Sequence, residues 1–252
     1  MDIKILEKIL EFSFGYLSPE EFESWLYCTK GVEEIIGNEN YFNFISTNYT
    51  EKAHCIKIKI HASKIVFMLD HKLWSIFYKN AIEKLINLIS MEFRDVARND
   101  GVTLHQAAVL DNRGSAHEFE IASKLDQDCH WKDISQEVIK AHPFILPFLD
   151  NTGFAYYIPA YINCILCEIK NKMKCDELLC WNICYNLSID SNQGRSRFEI
   201  FSCGQKNSIY RFLMLMALSN NEECNPEICE KSLLDYLIEV NEDRRLGFAG
   251  ST

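Results

Sequence analysis

The side chains best suited to binding or catalysis lie in the middle of the chain, where several aromatic residues occur close to two aspartates. They are Asp126, Trp131, Asp150, Tyr156, Tyr157 and Tyr161. Acidic groups beside amphipathic aromatic rings can form a recognition pocket, or an interface for arginine and lysine. In the structural alternative, Asp150 caps a local turn through its own backbone while the aromatic rings pack into the core. We predict that these six residues bind a partner, and an enzyme pocket at Asp150, Tyr156 and Tyr157 is the alternative.

Histidines and acidic residues that could bind a metal ion are concentrated between positions 105 and 130. They are His105, Asp111, His117, Asp126 and His130. A spacing of six residues rotates a side chain by about 240° around a helix, so the first three cannot share one helical face. We therefore predict that this group does not hold a metal ion.

Five cysteines in the second half of the chain could supply thiolates to a zinc site. They are Cys164, Cys167, Cys175, Cys180 and Cys184. Zinc ribbons carry Cys-x-x-Cys pairs on turns, whereas Cys164 and Cys167 lie on a predicted helix. Thiols that fill a core are therefore favoured over zinc ligands. We predict no metal site and no cofactor.

Sequence motifs of catalysis and nucleotide binding are missing. The chain contains no Gly-x-Ser-x-Gly, phosphate-binding loop, His-Glu-x-x-His or Rossmann glycine pattern. Residues 193–197 combine one glycine with two arginines and could bind a phosphate, but a solvated loop is favoured there. No catalytic residue is assigned, and a binding function is favoured over catalysis.

The formal charge of −10 at pH 7 is unevenly distributed. Residues 1–98 contain 12 basic and 14 acidic residues, whereas residues 99–252 contain 14 basic and 22 acidic residues. This balance argues against nucleic acid or a membrane as the main partner, because both attract clustered lysine and arginine. A basic protein partner fits better, and an acidic surface that serves only solubility is the alternative. We add Glu222, Glu223 and Glu227 to the predicted binding residues.

The cysteine content and the apolar segments indicate where the protein works. Eleven cysteines occur without a secretory leader, since Met1-Asp2-Ile3-Lys4 is not followed by a continuous apolar segment. Reduced thiols in the cytoplasm are expected. The longest apolar windows, residues 155–166 and 209–218, are shorter than the roughly 20 residues that a membrane-spanning helix needs. We predict a cytoplasmic protein without a membrane segment.

The elements that position these residues are predicted to be mainly α-helical. Only 10 glycines and 5 prolines interrupt the chain, which is too few for the frequent turns of a β-rich fold. Ser18, Pro19 and Glu21 form a complete helix-start signal, with a capping box and a proline in the first turn. Apolar periodicity predicts long helices over residues 3–14, 73–94, 205–218 and 226–240.

Two segments of the helical prediction carry alternatives. Within residues 51–67, isoleucines occur at every second position from Ile56 to Ile60, as in a strand. The surrounding pattern nevertheless favours a helix. Residues 144–158 contain an Asp-Asn-Thr-Gly turn signal between short apolar arms, and we predict a small β-hairpin there, with Pro159 in the first turn of the next helix.

The chain is predicted to form two helical units. Residues 98–101 are polar and turn-forming, and they separate a unit at 1–98 from a domain at 101–240. The tail at 241–252 is predicted to be flexible.

The pattern across residues 101–218 resembles an uncharacterised bacterial family of the domain-of-unknown-function kind. Its central block is Phe148-Leu149-Asp150-x-x-Gly153-Phe154-x-Tyr156-Tyr157-x-Pro159-Ala160-Tyr161. Weaker matches flank it: Gly101-x-Thr103-Leu104-x-x-Ala107 with Asp111, then Asp126 with Trp131, Ile134 and Ser135, then Gln205-x-x-Ser208-Ile209-x-x-Phe212-Leu213. This resemblance implies no established activity and no catalytic residues.

Residues 17–65 loosely resemble the opening of small helical bacterial proteins, some of them immunity proteins. The matching positions are Leu17-Ser18-x-Glu20-Glu21-Phe22-Glu23-x-Trp25-Leu26-Tyr27 and Gly37-x-x-x-Tyr41. Together with the acidic second half, this predicts an immunity-type protein that neutralises a basic toxin domain. The acidic patches would be residues 118–137 and 222–243.

Overall fold

A computed structural model describes residues 2–188, 194–219 and 226–234, and its regular structure within these ranges is helical, without a strand. The N-terminal helices are α1 (Ile3–Ser13), α2 (Pro19–Cys28), α3 (Val32–Ile36), α4 (Asn38–Ile45), α5 (Lys52–Leu69) and α6 (His71–Glu92). The mainly helical fold class is confirmed.

The C-terminal part continues with shorter helices around one long one. They are α7 (Leu104–Asp111), α8 (Ala116–Ala122), α9 (Gln136–Ala141), α10 (Asn151–Lys172), α11 (Glu177–Asn186), α12 (Gly194–Glu199) and α13 (Cys203–Ala217). Single 3-10 turns form at Trp131–Asp133 and Leu146–Phe148. Residues 226–234 are also helical, whereas the predicted tail at 241–252 lies outside the described residues.

Capping residues fix where several helices begin. Ser18 accepts a hydrogen bond from the Glu21 N–H, and the Glu21 carboxylate accepts one from the Ser18 N–H, so the predicted capping box is confirmed. Thr103 with Gln106, and Ser115 with Glu118, close the same reciprocal pair at α7 and α8. Each box satisfies two amide groups that would otherwise lack partners in the first helical turn.

The helical prediction for residues 51–67 is confirmed by α5. This helix packs against both α1 and α6, so apolar side chains are needed on more than one face. Ile56, Ile58 and Ile60 are all buried for this reason. The strand-like alternation in the sequence thus reflects a helix that is covered on two sides.

The β-hairpin predicted at residues 144–158 is wrong. The segment forms the 3-10 turn Leu146–Phe148 and then the first turns of α10, because Asp150 accepts a hydrogen bond from the Gly153 N–H and caps that helix. An Asp-x-x-Gly pattern suits a helix start as well as a turn. Pro159 consequently lies inside α10 and not in its first turn.

One hydrophobic core extends through the molecule, from Ile5 in α1 to Leu233. Helix α6 lies at its centre, packed against α1 and α5 from the N-terminal part and against α10 and α13 from the C-terminal part. The division into units at 1–98 and 101–240 stays a prediction. Among the described helices, none combines the length and apolar character needed to cross a membrane.

Candidate functional site

Asp126 closes helices α7 and α8 into a projecting hairpin, which we call the α7–α8 arm (residues 103–126). Its Oδ2 accepts a hydrogen bond from the His105 N–H at 3.0 Å, and its Oδ1 lies 2.9 Å from the His105 Nδ1. The last residue of the arm is thereby tied to the first turn of α7. At the tip, Arg113 adopts a left-handed φ of 54° and the Gly114 N–H donates to the Val109 carbonyl at 2.8 Å.

The carboxylate of Asp126 is buried but well satisfied. Burial disfavours its charge, yet hydrogen bonds from the His105 N–H, the Thr103 hydroxyl and the His105 ring outweigh burial and lower the pKa of Asp126. The backbone carbonyl of Asp126 also accepts from the Arg98 guanidinium at 2.8 Å, and a second Arg98 nitrogen donates to the Tyr157 hydroxyl at 2.9 Å. Arg98 therefore joins the arm to α10.

The aromatic members of the predicted binding group are packed into the core. Trp131 donates its indole N–H to the Phe93 carbonyl at 2.8 Å, and the Tyr161 hydroxyl donates to the His142 carbonyl at 2.6 Å. The Tyr156 hydroxyl donates to the Asp128 carbonyl at 3.2 Å. The three tyrosines are 0% exposed, so their rings fill the interior and do not face a partner. Their predicted binding role would require the cluster to open.

Asp150 has an architectural function. Its Oδ1 accepts hydrogen bonds from the Gly153 N–H at 2.8 Å and from the Val102 N–H at 3.0 Å, so one oxygen caps α10 and holds the segment before α7. The backbones of Gly101 and Gly153 touch at this point. A Cβ on Gly153 would lie 2.4 Å from the Val102 carbonyl oxygen, so only glycine fits there. This agrees with the structural alternative stated for Asp150.

Arg197 is a buried residue whose function the sequence did not reveal. Its guanidinium donates to the carbonyls of Leu146 at 3.0 Å and Leu149 at 2.9 Å, and to the Asn186 side chain at 3.2 Å. Burial lowers the pKa of Arg197 to about 10. The solvated or phosphate-binding loop predicted at residues 193–197 is wrong for Arg197, which belongs to α12 and clamps the turn before α10. No motif signals this role, because its partners are main-chain carbonyls.

His105 and His142 are the nearest approach to a reactive pair in this region. The Nδ1 of His105 contacts the Asp126 carboxylate, an arrangement that orients a histidine ring in the way a general base requires. The ring of His142 lies 5.0 Å away between centroids, and its Nδ1 contacts the Val138 carbonyl at 2.9 Å. Tyr157 is no second base at neutral pH, because burial raises its pKa to about 12.

Of the candidate metal ligands among the described residues, only His105 and Asp126 are shown in contact with each other. Asp111 and His117 are exposed on the arm, and His130 contacts the Arg94 carbonyl and the Lys132 N–H. Within the described ranges, no three His, Cys, Asp or Glu side chains are grouped to hold a metal ion. Of the cysteine group, Cys164, Cys175, Cys180 and Cys184 are buried. The Cys184 sulfur lies 3.1 Å from the Cys229 sulfur. This contact places α11 against the helix at residues 226–234.

The exposed surface of the α7–α8 arm combines apolar side chains with charged ones, which include Arg113 and Lys124 beside the carboxylates. Leu110, Ile121 and Leu125 are 45%, 49% and 58% exposed. Carboxylates accompany them on the arm and in the segment that follows it: Asp111, Glu118, Glu120, Asp133 and Glu137 are all exposed. Glu227 is exposed on a different helix, and Glu222 and Glu223 lie outside the described residues.

Comparison with known proteins gives a family and no close relative. A model described as "Family of unknown function (DUF6714)" matches residues 81–240. No curated protein and no solved structure matches the chain. The match spans α7–α13 and confirms the prediction of an uncharacterised family, while the specific motif at residues 101–218 stays a prediction. The immunity-like resemblance at residues 17–65 lies outside the match and stays a prediction. Because the matched region covers more than half of the 252 residues, the chain belongs to the DUF6714 family.

Proposed function

We propose that this is a cytoplasmic bacterial protein-binding protein whose basic partner docks on the α7–α8 arm. The observation that supports the proposal is the exposure of Leu110, Ile121 and Leu125 on one projecting hairpin. Single exposed apolar residues are common on protein surfaces, but several on one short element indicate a contact surface. The surrounding carboxylates favour a partner with lysines and arginines at the rim of the interface.

The arm is built to hold its shape before a partner arrives. The Asp126 carboxylate closes its base, and the Gln106 amide donates to the Phe119 carbonyl at 3.4 Å between its two helices. Both helices begin with capping boxes. A preorganised surface loses little conformational entropy on binding, which favours affinity.

The specific partner that we propose is a basic toxin domain, which the protein would neutralise as an immunity protein. The excess of 22 acidic over 14 basic residues in 99–252 supports a cationic partner. Opposite charges accelerate association, and salt slows it. Binding to such a domain would therefore weaken as the ionic strength rises.

The experiment measures binding of the full chain to basic toxin domains encoded beside its gene, by calorimetry at low and at physiological salt. We expect a one-to-one complex whose affinity falls with salt. The double variant Ile121→Ser with Leu125→Ser should weaken it by about tenfold or more, since each loses a contact of roughly 1 kcal/mol or more.

A matched control is Met68→Ser, because Met68 is 75% exposed on α5, outside the arm. This variant should bind like the wild type. Absence of a complex with every basic domain tested would remove the immunity proposal, and equal losses in the arm and Met68 variants would remove the arm as the docking surface.

An enzyme pocket at Asp150, Tyr156 and Tyr157 is the alternative proposal. It would need an open cleft, whereas both tyrosines are fully buried and hydrogen-bonded and Asp150 caps α10. The pairing of Asp126 with His105 is the feature that favours catalysis. The same contacts hold the α7–α8 arm closed, so a structural role accounts for them without a reaction.

A further inference from the structure

A cavity of about 250 Å³ is lined by residues outside the α7–α8 arm and the aromatic cluster. It opens where the segment after α1 meets α5, α6 and α13. Apolar side chains form part of its wall, including Phe14, Leu85, Leu88 and Met214. Ligand sites are typically concave, mostly apolar and equipped with a few polar groups that orient the ligand.

The charged groups at this cavity are all cationic. Lys59 from α5, Lys84 from α6 and Arg211 from α13 line it, and no acidic residue is among the described residues that do so. Lys84 places its Nζ 4.0 Å from the centroid of the Tyr16 ring, and Lys59 places its Nζ 5.3 Å from that of Phe12. In the described part of the chain, none of the three cations has a carboxylate within ion-pair distance.

This concentration of positive charge contrasts with the rest of the protein. The chain as a whole carries −10, yet residues 52–84 contain seven lysines against Asp70 and Glu83. Burial and the nearby charge of Arg211 lower the pKa of Lys59. Lys59 is half-buried and Lys84 and Arg211 are exposed, and among the described residues this cluster of like charge lacks a counter-charge. An anion would supply it.

We propose that this cavity binds a small organic anion, with a carboxylate or phosphate head between Lys59 and Arg211 and a short apolar body against α6 and α13. The Asn207 amide lines the same cavity and can donate a hydrogen bond to the head. Leu85, Leu88 and Met214 provide the apolar contact for the body. An inorganic ion would leave this apolar wall empty, so an amphipathic ligand fits better than phosphate alone.

The experiment titrates the full chain with octanoate and with hexyl phosphate, using calorimetry. Octanol and octylammonium serve as probes of the same length without the negative charge. We expect saturable one-to-one binding of at least one of the two anions, and at least tenfold weaker binding of octanol and octylammonium. The ratio between octanoate and hexyl phosphate identifies the preferred head group.

Three variants locate the site. Lys59→Met and Arg211→Met should each weaken anion binding by about tenfold or more, because each removes a charge-assisted contact. Ala81→Phe should block the cavity while every cation remains. Lys57→Met is the matched control, because Lys57 is exposed on the same helix and does not line the cavity; its binding should equal that of the wild type.

Stability separates a ligand-binding lysine from a structural one. In the absence of ligand, Lys59→Met should unfold at the same temperature as the wild type or at a higher one, because it removes a desolvated charge. The proposal is overturned if neither anion binds saturably, if octanol binds as tightly as octanoate, or if Lys59→Met and Lys57→Met weaken binding equally. A lower unfolding temperature of Lys59→Met with unchanged anion binding would assign Lys59 a structural role.

Discussion

Several buried polar side chains in this protein act on the main chain of a distant segment. Asp126 holds the amide of His105, Trp131 donates to the carbonyl of Phe93, and Arg197 clamps the carbonyls of Leu146 and Leu149. The sequence identified Asp126, Trp131 and Asp150 as special positions. It did not identify their partners, because a main-chain amide or carbonyl carries no residue type that a motif could reveal.

Replacing Asp126 by asparagine should destabilise the protein by about 2 kcal/mol, since the buried contacts from His105 and Thr103 lose a charged acceptor. Urea unfolding at neutral pH measures this difference. Asp111→Asn is the control, because Asp111 is exposed in the same arm, and its unfolding free energy should stay within about 0.5 kcal/mol of the wild type.

The contribution of Asp126 to the free energy of unfolding should decrease as the pH falls. The pKa of this carboxyl is lowered in the folded state, so its stabilising contribution is complete above the unfolded value of about 3.9 and is lost as the pH falls through the lower folded value. The difference between wild type and Asp126→Asn should thus be present at neutral pH and shrink in acid, as the carboxyl takes up a proton. A difference that grew in acid would contradict the carboxylate contacts.

Arg197→Met should cost about 3 kcal/mol, because it removes the guanidinium donor from the Leu149 carbonyl and one of the two donors to the Leu146 carbonyl inside a buried site. Chemical denaturation measures the loss. Arg113→Met is the control, since Arg113 is exposed at the tip of the arm. Comparable stability of the two variants would show that the turn at Leu146–Phe148 does not depend on this guanidinium.

At the scale of helices, the predictions based on local signals succeeded. The capping box at Ser18 lies where the sequence placed it. The predicted hairpin failed because Asp150 and Gly153 have the same residue types in a turn and at a helix start. The backbone of Gly101–Val102, about 50 residues earlier in the chain, packs against Gly153 and decides between the turn and the helix start.

Gly153→Ala tests this close approach. In an ordinary helix interior, alanine is more stable than glycine by about 1 kcal/mol. Here the added Cβ meets the Val102 carbonyl at 2.4 Å, so we expect a loss of about 2 kcal/mol, from unfolding in denaturant. Thr152→Ala, at an exposed position of the same turn, should change little. A stabilised Gly153→Ala would mean that α10 and the 101–102 segment do not touch.

At the scale of the whole molecule, the helices surround α6, which contacts helices from both predicted units. Periodicity in the sequence identified the apolar stripe of α6 but could not show that two sets of helices would share it. The same limit applies to the cationic cavity. Lys59 and Arg211 are separated by about 150 residues, and only the packing of α5 and α13 against α6 brings them to one site.

The protein should unfold in a single cooperative transition, because α6 belongs to both halves of one core. Calorimetry together with fluorescence and circular dichroism should give coincident transitions. A fragment of residues 99–252 should remain unfolded or aggregate, since it lacks α6 beneath α10 and α13. Two separate transitions, or a soluble folded fragment, would instead establish the units predicted at 1–98 and 101–240.

The family match begins at residue 81, within α6, whereas α5 and the first half of α6 precede it. A homologue whose sequence departs from this one before that point would still carry the last turns of α6 and the whole of α13, with the apolar sides that α5 and α1 shield here. Another segment would have to replace α1 and α5 and cover these apolar sides. Since Lys59 belongs to this cover while Lys84 and Arg211 do not, exchanging the front of the chain would alter the selectivity of the cationic cavity and leave the α7–α8 arm as it is.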